Sequence, residues 1–197
     1  MIYLIVEGPN DKALMELVLA PPSLPEHQVV SAGGESSAVS LAASIMMKRR
    51  QPVIVVLDAD ATDPEDVRRQ EAEYNYLLQS WSNGTEFDLI FAVPDLVCAL
   101  FTGPGRSASI PGVQLTPEQI DTLQQDPRSV LDAVLQKPIA SPVFHSEEMR
   151  AYLASSPIVQ RIEGSLNRLS SATETRRIPA AGEAEAVRDG ASLQPHA

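Results

Sequence analysis

One cysteine, one tryptophan and three histidines are all that 197 residues contain of the side chains that most often build disulfides, stacking platforms and zinc centres. The single thiol, Cys98, excludes an intrachain disulfide, and its apolar setting, VCALF, predicts core packing. His27, His145 and His196 are widely spaced, with no cysteine cluster beside them, so a zinc site is not indicated. Aromatics make up only 5% of a chain that is 44% hydrophobic, so the core must be aliphatic. Basic residues are also scarce: 15 Lys and Arg stand against 26 Asp and Glu, a net charge of -11. That balance argues against a nucleic-acid coating protein, whose affinity comes from neutralising phosphates. It does not exclude acids that hold a divalent metal, because a bound cation inverts the local field. The apolar run after Met1 is about five residues and has no basic flank, too short for a signal peptide or a membrane span. A cytoplasmic protein is expected. The P-loop pattern G-x-x-x-x-G-K-[ST] is absent.

Two stretches share one design. Ile54 to Asp60, IVVLDAD, is an apolar run that ends abruptly in two carboxylates at i and i+2. Ile2 to Asp11, IYLIVEGPND, is an apolar run that ends in Glu7 and Gly8, with Asp11 on the next turn. If both runs are buried parallel strands, both deliver acid to the carboxyl edge of one sheet, where open α/β sheets bind ligands. Several carboxylates there repel one another unless a cation or proton lies between them. Oxygen donors of this kind suit Mg²⁺ or Mn²⁺ far better than zinc. The competing reading is a solvated strand end leading into a capped turn. A third is a phosphoacceptor domain in which Asp58 receives phosphate, which also requires a lysine that the pattern does not place.

The remaining chain supports an α/β class. Residues 2–6, 28–31 and 53–57 predict strands, separated by helices over 11–20, with Pro9 in its first turn, and 36–50. A helix opening at Pro64, capped by Thr62 or Asp63, ends near Trp81, and Phe87 to Val93 predicts a fourth strand leading to Asp95. This alternation predicts a parallel sheet. Gly33, Gly34, Ser36 and Ser37 form either a tight turn or an anion-binding helix start. Lys48, Arg49 and Arg50 are either favourable helix C-terminal charges or phosphate contacts. Beyond Phe101 the texture changes: 103–112 is a loop, and short helices are expected near 117–124, 127–136, 146–152 and 157–169. The organisation expected is a core over 1–101, a helical appendage over 102–170 packed on it, and a frayed tail over 171–197.

VEGPND followed some fifty residues later by VVLDAD resembles the TOPRIM domain family, with its Glu-Gly after the first strand and Asp-x-Asp after the third. The intervening VVSAGGESSAVSLAASIM and the later FAVPDLVCALF resemble the subgroup found in OLD-family nucleases. The match covers roughly residues 2–101. It implies a compact Rossmann-like sheet of mainly parallel strands between helices, with a small C-terminal helical appendage. It implies divalent-metal-dependent hydrolysis of nucleic-acid phosphodiesters, with Mg²⁺ or Mn²⁺ as cofactor. Carried onto this chain, Glu7 becomes the acid/base or metal-bridging carboxylate, Asp58 and Asp60 metal ligands, and Asp11 a supporting acid. Asp95 completes the set, although it lies two residues before the expected glutamate, whose place Val97 takes. Lys137, in LQKPIASPVF, is the candidate for the lysine that OLD-like nucleases carry after the sheet. The partners implied are nucleic acid, with DNA the expected form, a separately encoded ATPase and a second copy of this chain, in a setting of DNA repair or phage defence. The alternative is a catalytically inert metal-binding or interaction module that regulates such a partner.

Overall fold

The computed structural model describes residues 1–19, 23–102, 109–126, 129–131 and 144–177. The apolar runs form strands β1 (Ile2–Val6), β2 (His27–Ser31), β3 (Val53–Asp58) and β4 (Phe87–Ala92). Their order in the sheet is β2-β1-β3-β4, and all three pairings are parallel. β1 and β3 are central, and β1 is buried along its whole length. This explains why their sequences are continuously apolar rather than alternating, since a sheet covered on both faces has no solvent side.

The period of two still operates, dividing each strand between two apolar layers. Ile2, Leu4 and Val6 join one cluster with Ile54, Val56, Ile90 and Ala92. Tyr3 and Ile5 join the other with Val53, Val55, Leu57, Leu89 and Phe91. Helices α2 (Glu35–Arg49) and α3 (Pro64–Trp81) cover the second face. The first face is covered by α1 (Pro9–Val18), α4 (Leu96–Phe101), α5 (Pro117–Gln125), α6 (Glu147–Ala154) and α7 (Pro157–Arg177).

Local chemistry marks most helix starts. Pro9, Pro64, Pro117 and Pro157 each stand at the first helical position, where a missing amide hydrogen costs nothing. Asp63, Thr116 and Ser146 cap α3, α5 and α6 through their side chains. Of the two expected candidates for the α3 cap, Asp63 is the one used, accepting from the Glu65 amide at 2.7 Å.

Two elements depart from expectation. Leu96–Phe101 forms α4, which strand and turn patterns did not single out; Asp95 caps it, and Cys98 is fully buried inside it, as its apolar context predicted. α7 continues to Arg177, so 171–177, expected to fray, is helical. The part of the helix before it is held by tertiary contacts. Ile162, Leu166 and Leu169 are fully buried in the same cluster as the sheet residues, and Arg168 pairs with Asp88 of β4 at 2.7 Å. Ser165 Oγ also donates to Asp88, and Arg161 reaches both the Leu89 carbonyl at 3.3 Å and Glu71 of α3 at 3.5 Å. α6 is tied to α4 by the Tyr152 hydroxyl, which donates to the Phe101 carbonyl at 2.8 Å. The expected helix over 127–136 lies mostly outside the described residues, with 129–131 helical, as does 178–197. Among the described residues no helix is long and apolar enough to cross a membrane.

Candidate metal centre at the carboxyl edge of the sheet

Glu7 and Asp58 meet because β1 and β3 are neighbours. Their register pairs Tyr3 with Val53 and Ile5 with Val55, so two residues further on Glu7 stands level with Leu57, one residue before Asp58. Glu7 Oε1 accepts from the Asp58 amide at 2.8 Å, across 51 residues of sequence. Asp58 Oδ1 in turn accepts from the Leu96 amide, at the start of α4, at 2.9 Å. The end of β1 is held from the other side too, because the Gly33 and Gly34 amides both donate to the Glu7 carbonyl, at 2.8 and 3.1 Å. Those amides are thus spent on the strand end, and the first helical residue after them is the acidic Glu35, so the turn reading of Gly33-Gly34 prevails over an anion site.

The other acids arrive by different routes. Asp11, in the first turn of α1, accepts from the Gly8 amide at 2.8 Å, closing the N-terminal turn of that helix. A Cβ on Gly8 would stand 2.9 Å from Asp11 Oδ2, so glycine is what lets this carboxylate fold back onto the strand end. Asp60 is exposed, at a backbone φ of 48°, and its amide donates to the Pro94 carbonyl at 2.9 Å. Asp95 is only 3% exposed and accepts from the Cys98 amide at 2.9 Å, serving α4 as its cap. Lys137 lies outside the described residues.

Burial pushes the Asp58 carboxyl up from 3.8 to about 7, helped by the charges of Asp11, Glu7 and Asp95 and opposed by the hydrogen bond from Leu96. Burial also raises Glu7, against the bond from Asp58, with Glu35, Asp60 and Asp11 adding repulsion. Asp11 thus bears on both carboxyls, Asp60 on Glu7 and Asp95 on Asp58. Each of Glu7, Asp58, Asp11 and Asp95 nevertheless accepts a backbone amide, and among the described residues no three His, Cys, Asp or Glu side chains stand close enough to hold a metal ion. The donor set, oxygen throughout, suits a hard divalent cation, and its carboxylates are gathered but not closed around a point.

Sequence reasoning missed Glu35. Glu35 contributes the largest of the charges acting on Glu7. It had one available signal, its place directly after the Gly-Gly turn. The basic run Lys48, Arg49 and Arg50 belongs to the opposite end of the sheet, where Arg49 donates to the Tyr3 hydroxyl at 2.6 Å.

No family model matches the chain, and no curated protein matches it. Among solved structures it is distantly similar to the C-terminal region of the Burkholderia pseudomallei OLD protein, at 14% identity and a TM-score of 0.45, covering 87% of this chain and 97% of that one. The fold defines an α/β protein with a Rossmann-like parallel sheet between helices.

Proposed function

We propose that this chain is a divalent-metal-dependent nuclease, or the nuclease subunit of a larger assembly, that hydrolyses phosphodiester bonds in nucleic acid. The observation that carries the reading is the hydrogen bond from the Asp58 amide to the Glu7 carboxylate at the carboxyl edge of adjacent central strands, with the charges of Asp11 and Asp60 bearing on Glu7 and those of Asp11 and Asp95 on Asp58. Concentrating like charge in a half-buried place is costly, and functional sites are where proteins tolerate that cost. Glu7, Asp58 and Asp60 would hold Mg²⁺ or Mn²⁺, with Asp11 and Asp95 adding charge around them. The cation would polarise a phosphoryl oxygen and lower the pKa of a water. Asp58, with its carboxyl near 7, would have to be deprotonated to hold a cation, so binding would release protons close to neutral pH. Glu7, raised as well, is the carboxylate suited to take or return a proton at the reacting centre. The net charge of -11 leaves phosphate binding to the cation and to a partner; DNA, a separately encoded ATPase and a second copy of this chain are the proposed partners.

The test is nicking of supercoiled plasmid and cleavage of single-stranded DNA and RNA with Mg²⁺ or Mn²⁺, alongside an EDTA lane and an Asp58→Ala/Asp60→Ala double variant. Metal-dependent cutting that disappears in the variant supports a nuclease and identifies its preferred substrate. Cutting that survives in the variant refutes this site.

A second reading, an inert module that regulates a partner, draws support from the backbone amides that already occupy Glu7 and Asp58. It expects no cutting with either metal, alone or with the partner ATPase. A phosphoacceptor role for Asp58 also requires a lysine, which the sequence pattern does not place.

A further inference from the structure

β4 is an edge strand, with β3 on one side only. The Glu86 and Ala92 carbonyls accept from the Val53 and Ala59 amides, so the even-numbered residues of β4 turn their backbone groups toward β3. Phe87, Leu89 and Phe91 turn theirs outward, because the direction alternates along a strand. At Leu89 the edge is closed by side chains: Arg161 donates to its carbonyl at 3.3 Å, and its amide donates to Asp88 Oδ1 at 3.1 Å. Phe91, one outward position further on, has no such cover. It is only 7% exposed, yet its N–H and C=O meet no partner among the described residues. Buried backbone groups are almost always paired, so this donor and acceptor mark a place where a bound group completes them.

Phe91 lines a groove of about 250 Å³ whose walls are mostly apolar, from Val93 at the end of β4, Ala99 of α4, and Pro157 and Ile158 of α7. Two features select its occupant. The open edge is short: Leu89 closes one side, and beyond Val93 stands Pro94, which has no N–H and whose carbonyl already accepts from the Asp60 amide at 2.9 Å. An added peptide strand needs a run of free backbone groups and finds one or two positions. A flat heterocycle needs one donor and one acceptor side by side, with apolar surface against its faces. The groove also stands level with the acids, since Phe91 pairs in register with Leu57 and Ala92 with Asp58. A group in the place of a fifth strand lies two strand spacings from β3, about 10 Å.

Resting on the nuclease reading above, we propose that this groove is a base subsite: it takes one unstacked nucleobase of a single-stranded substrate, whose hydrogen-bonding edge meets the Phe91 N–H and C=O. The base is held outside β4 while its sugar and phosphate reach back across the strand end toward Asp58. Such a subsite favours single strands over duplex, because only an unstacked base presents its edge and both faces.

The experiment follows the backbone amide resonances of the full, isotope-labelled chain during titration with each of the four deoxynucleosides in EDTA. Deoxynucleosides carry no charge, so the net charge of -11 does not repel them, and EDTA keeps the cation site out of the readout. The Phe91 amide should shift with at least one of them, while the Leu89 amide, already bonded, moves less. Ala99→Leu, at a half-buried position on the groove wall, should weaken that binding roughly tenfold or more. Thr102→Leu, on the same wall, is a second occluding variant, and thermal melts verify that each is folded. With Mn²⁺ present, both should raise KM for a single-stranded oligonucleotide by a similar factor and leave kcat within about twofold. No Phe91 shift with any deoxynucleoside, or binding that both folded variants leave unchanged, would overturn the base subsite; metal-dependent cutting would then still stand. A shift with a short extended peptide of alternating alanine and valine, and with no deoxynucleoside, would assign the edge to strand addition and overturn it as well. Deoxynucleoside binding without any metal-dependent cutting would keep the groove as a nucleoside site and remove the nuclease.

Discussion

Replacing Asp58 with asparagine should stabilise the metal-free protein above pH 7, and by an amount that depends on pH. Burial, aided by Asp11, Glu7 and Asp95, raises the folded-state carboxyl from 3.8 to about 7. An acid raised in this way favours the folded state fully below its unfolded value. That contribution is lost as pH climbs through the interval, from about 4 to about 7, and the loss is complete above it. A rise of about 3 units at roughly 1.4 kcal/mol each sets a ceiling of about 4 kcal/mol. Asp58 is only half-buried, so solvent screening reduces the expected cost to roughly 1–2 kcal/mol. Asparagine keeps an oxygen able to accept the Leu96 amide and carries no charge, so it escapes the penalty. Its advantage should be small at pH 5 and reach roughly 3–6 °C in Tm at pH 8, from melts in EDTA. With Mn²⁺ present the order should reverse, because only the wild type gains binding free energy, about 2.7 kcal/mol at a hundredfold excess over Kd. An equal gain at pH 5 and pH 8, or an asparagine variant less stable than wild type at pH 8, would refute the claim that Asp58 is held at an electrostatic cost.

Three further outcomes are expected. Asp60→Asn should leave stability within about 0.5 kcal/mol, since the residue is exposed and asparagine tolerates its positive φ, while metal-dependent cleavage falls at least tenfold; urea melts and plasmid nicking separate the two effects, and undiminished cleavage would remove Asp60 from the site. Leu166→Ala should cost about 2–5 kcal/mol in a single cooperative transition, because Leu166 is fully buried in the cluster that contains the sheet; a second, separate transition for the C-terminal helices would show them to be an independent unit. Gly8→Ala should press on Asp11 Oδ2, 2.9 Å from the new methyl group, and displace it from the Gly8 amide; a cost of about 1 kcal/mol and weaker Mn²⁺ binding are expected, and unchanged Mn²⁺ affinity would separate Asp11 from the cation site.

Much of the fold was legible because its signals are local. Continuous apolar runs of five residues mark β1 and β3 as doubly covered strands, and β4 carries a shorter one after Asp88. Prolines at first helical positions and side-chain caps at Asp63, Thr116 and Ser146 mark where helices begin. The acids at the two strand ends were visible for the same reason, since a carboxylate that follows an apolar run is a local pattern. α4 was less legible because it is six residues long, too short to show a period, and its cap residue Asp95 also looked like a site acid.

What the order of residues determined, then, was the set of strands and helices, and which strand ends carry carboxylates. Only the tertiary structure decided which ends meet. The order β2-β1-β3-β4 makes β1 and β3 neighbours and joins Glu7 to Asp58; another order would have left each as a solvated strand end. Tyr74 and Phe91 belong to a helix and a strand, and no sequence period relates them; their rings meet, 6.1 Å apart, because α3 packs on the face of the sheet that β4 shares. α7 was legible as a helix over 157–169, but it was not legible that β4 supplies Asp88 for Arg168 or that the sheet supplies a face for Leu166 and Leu169. Local propensity selects each element, whereas contacts between distant segments depend on burial and pairing that exist only once the chain has closed on itself.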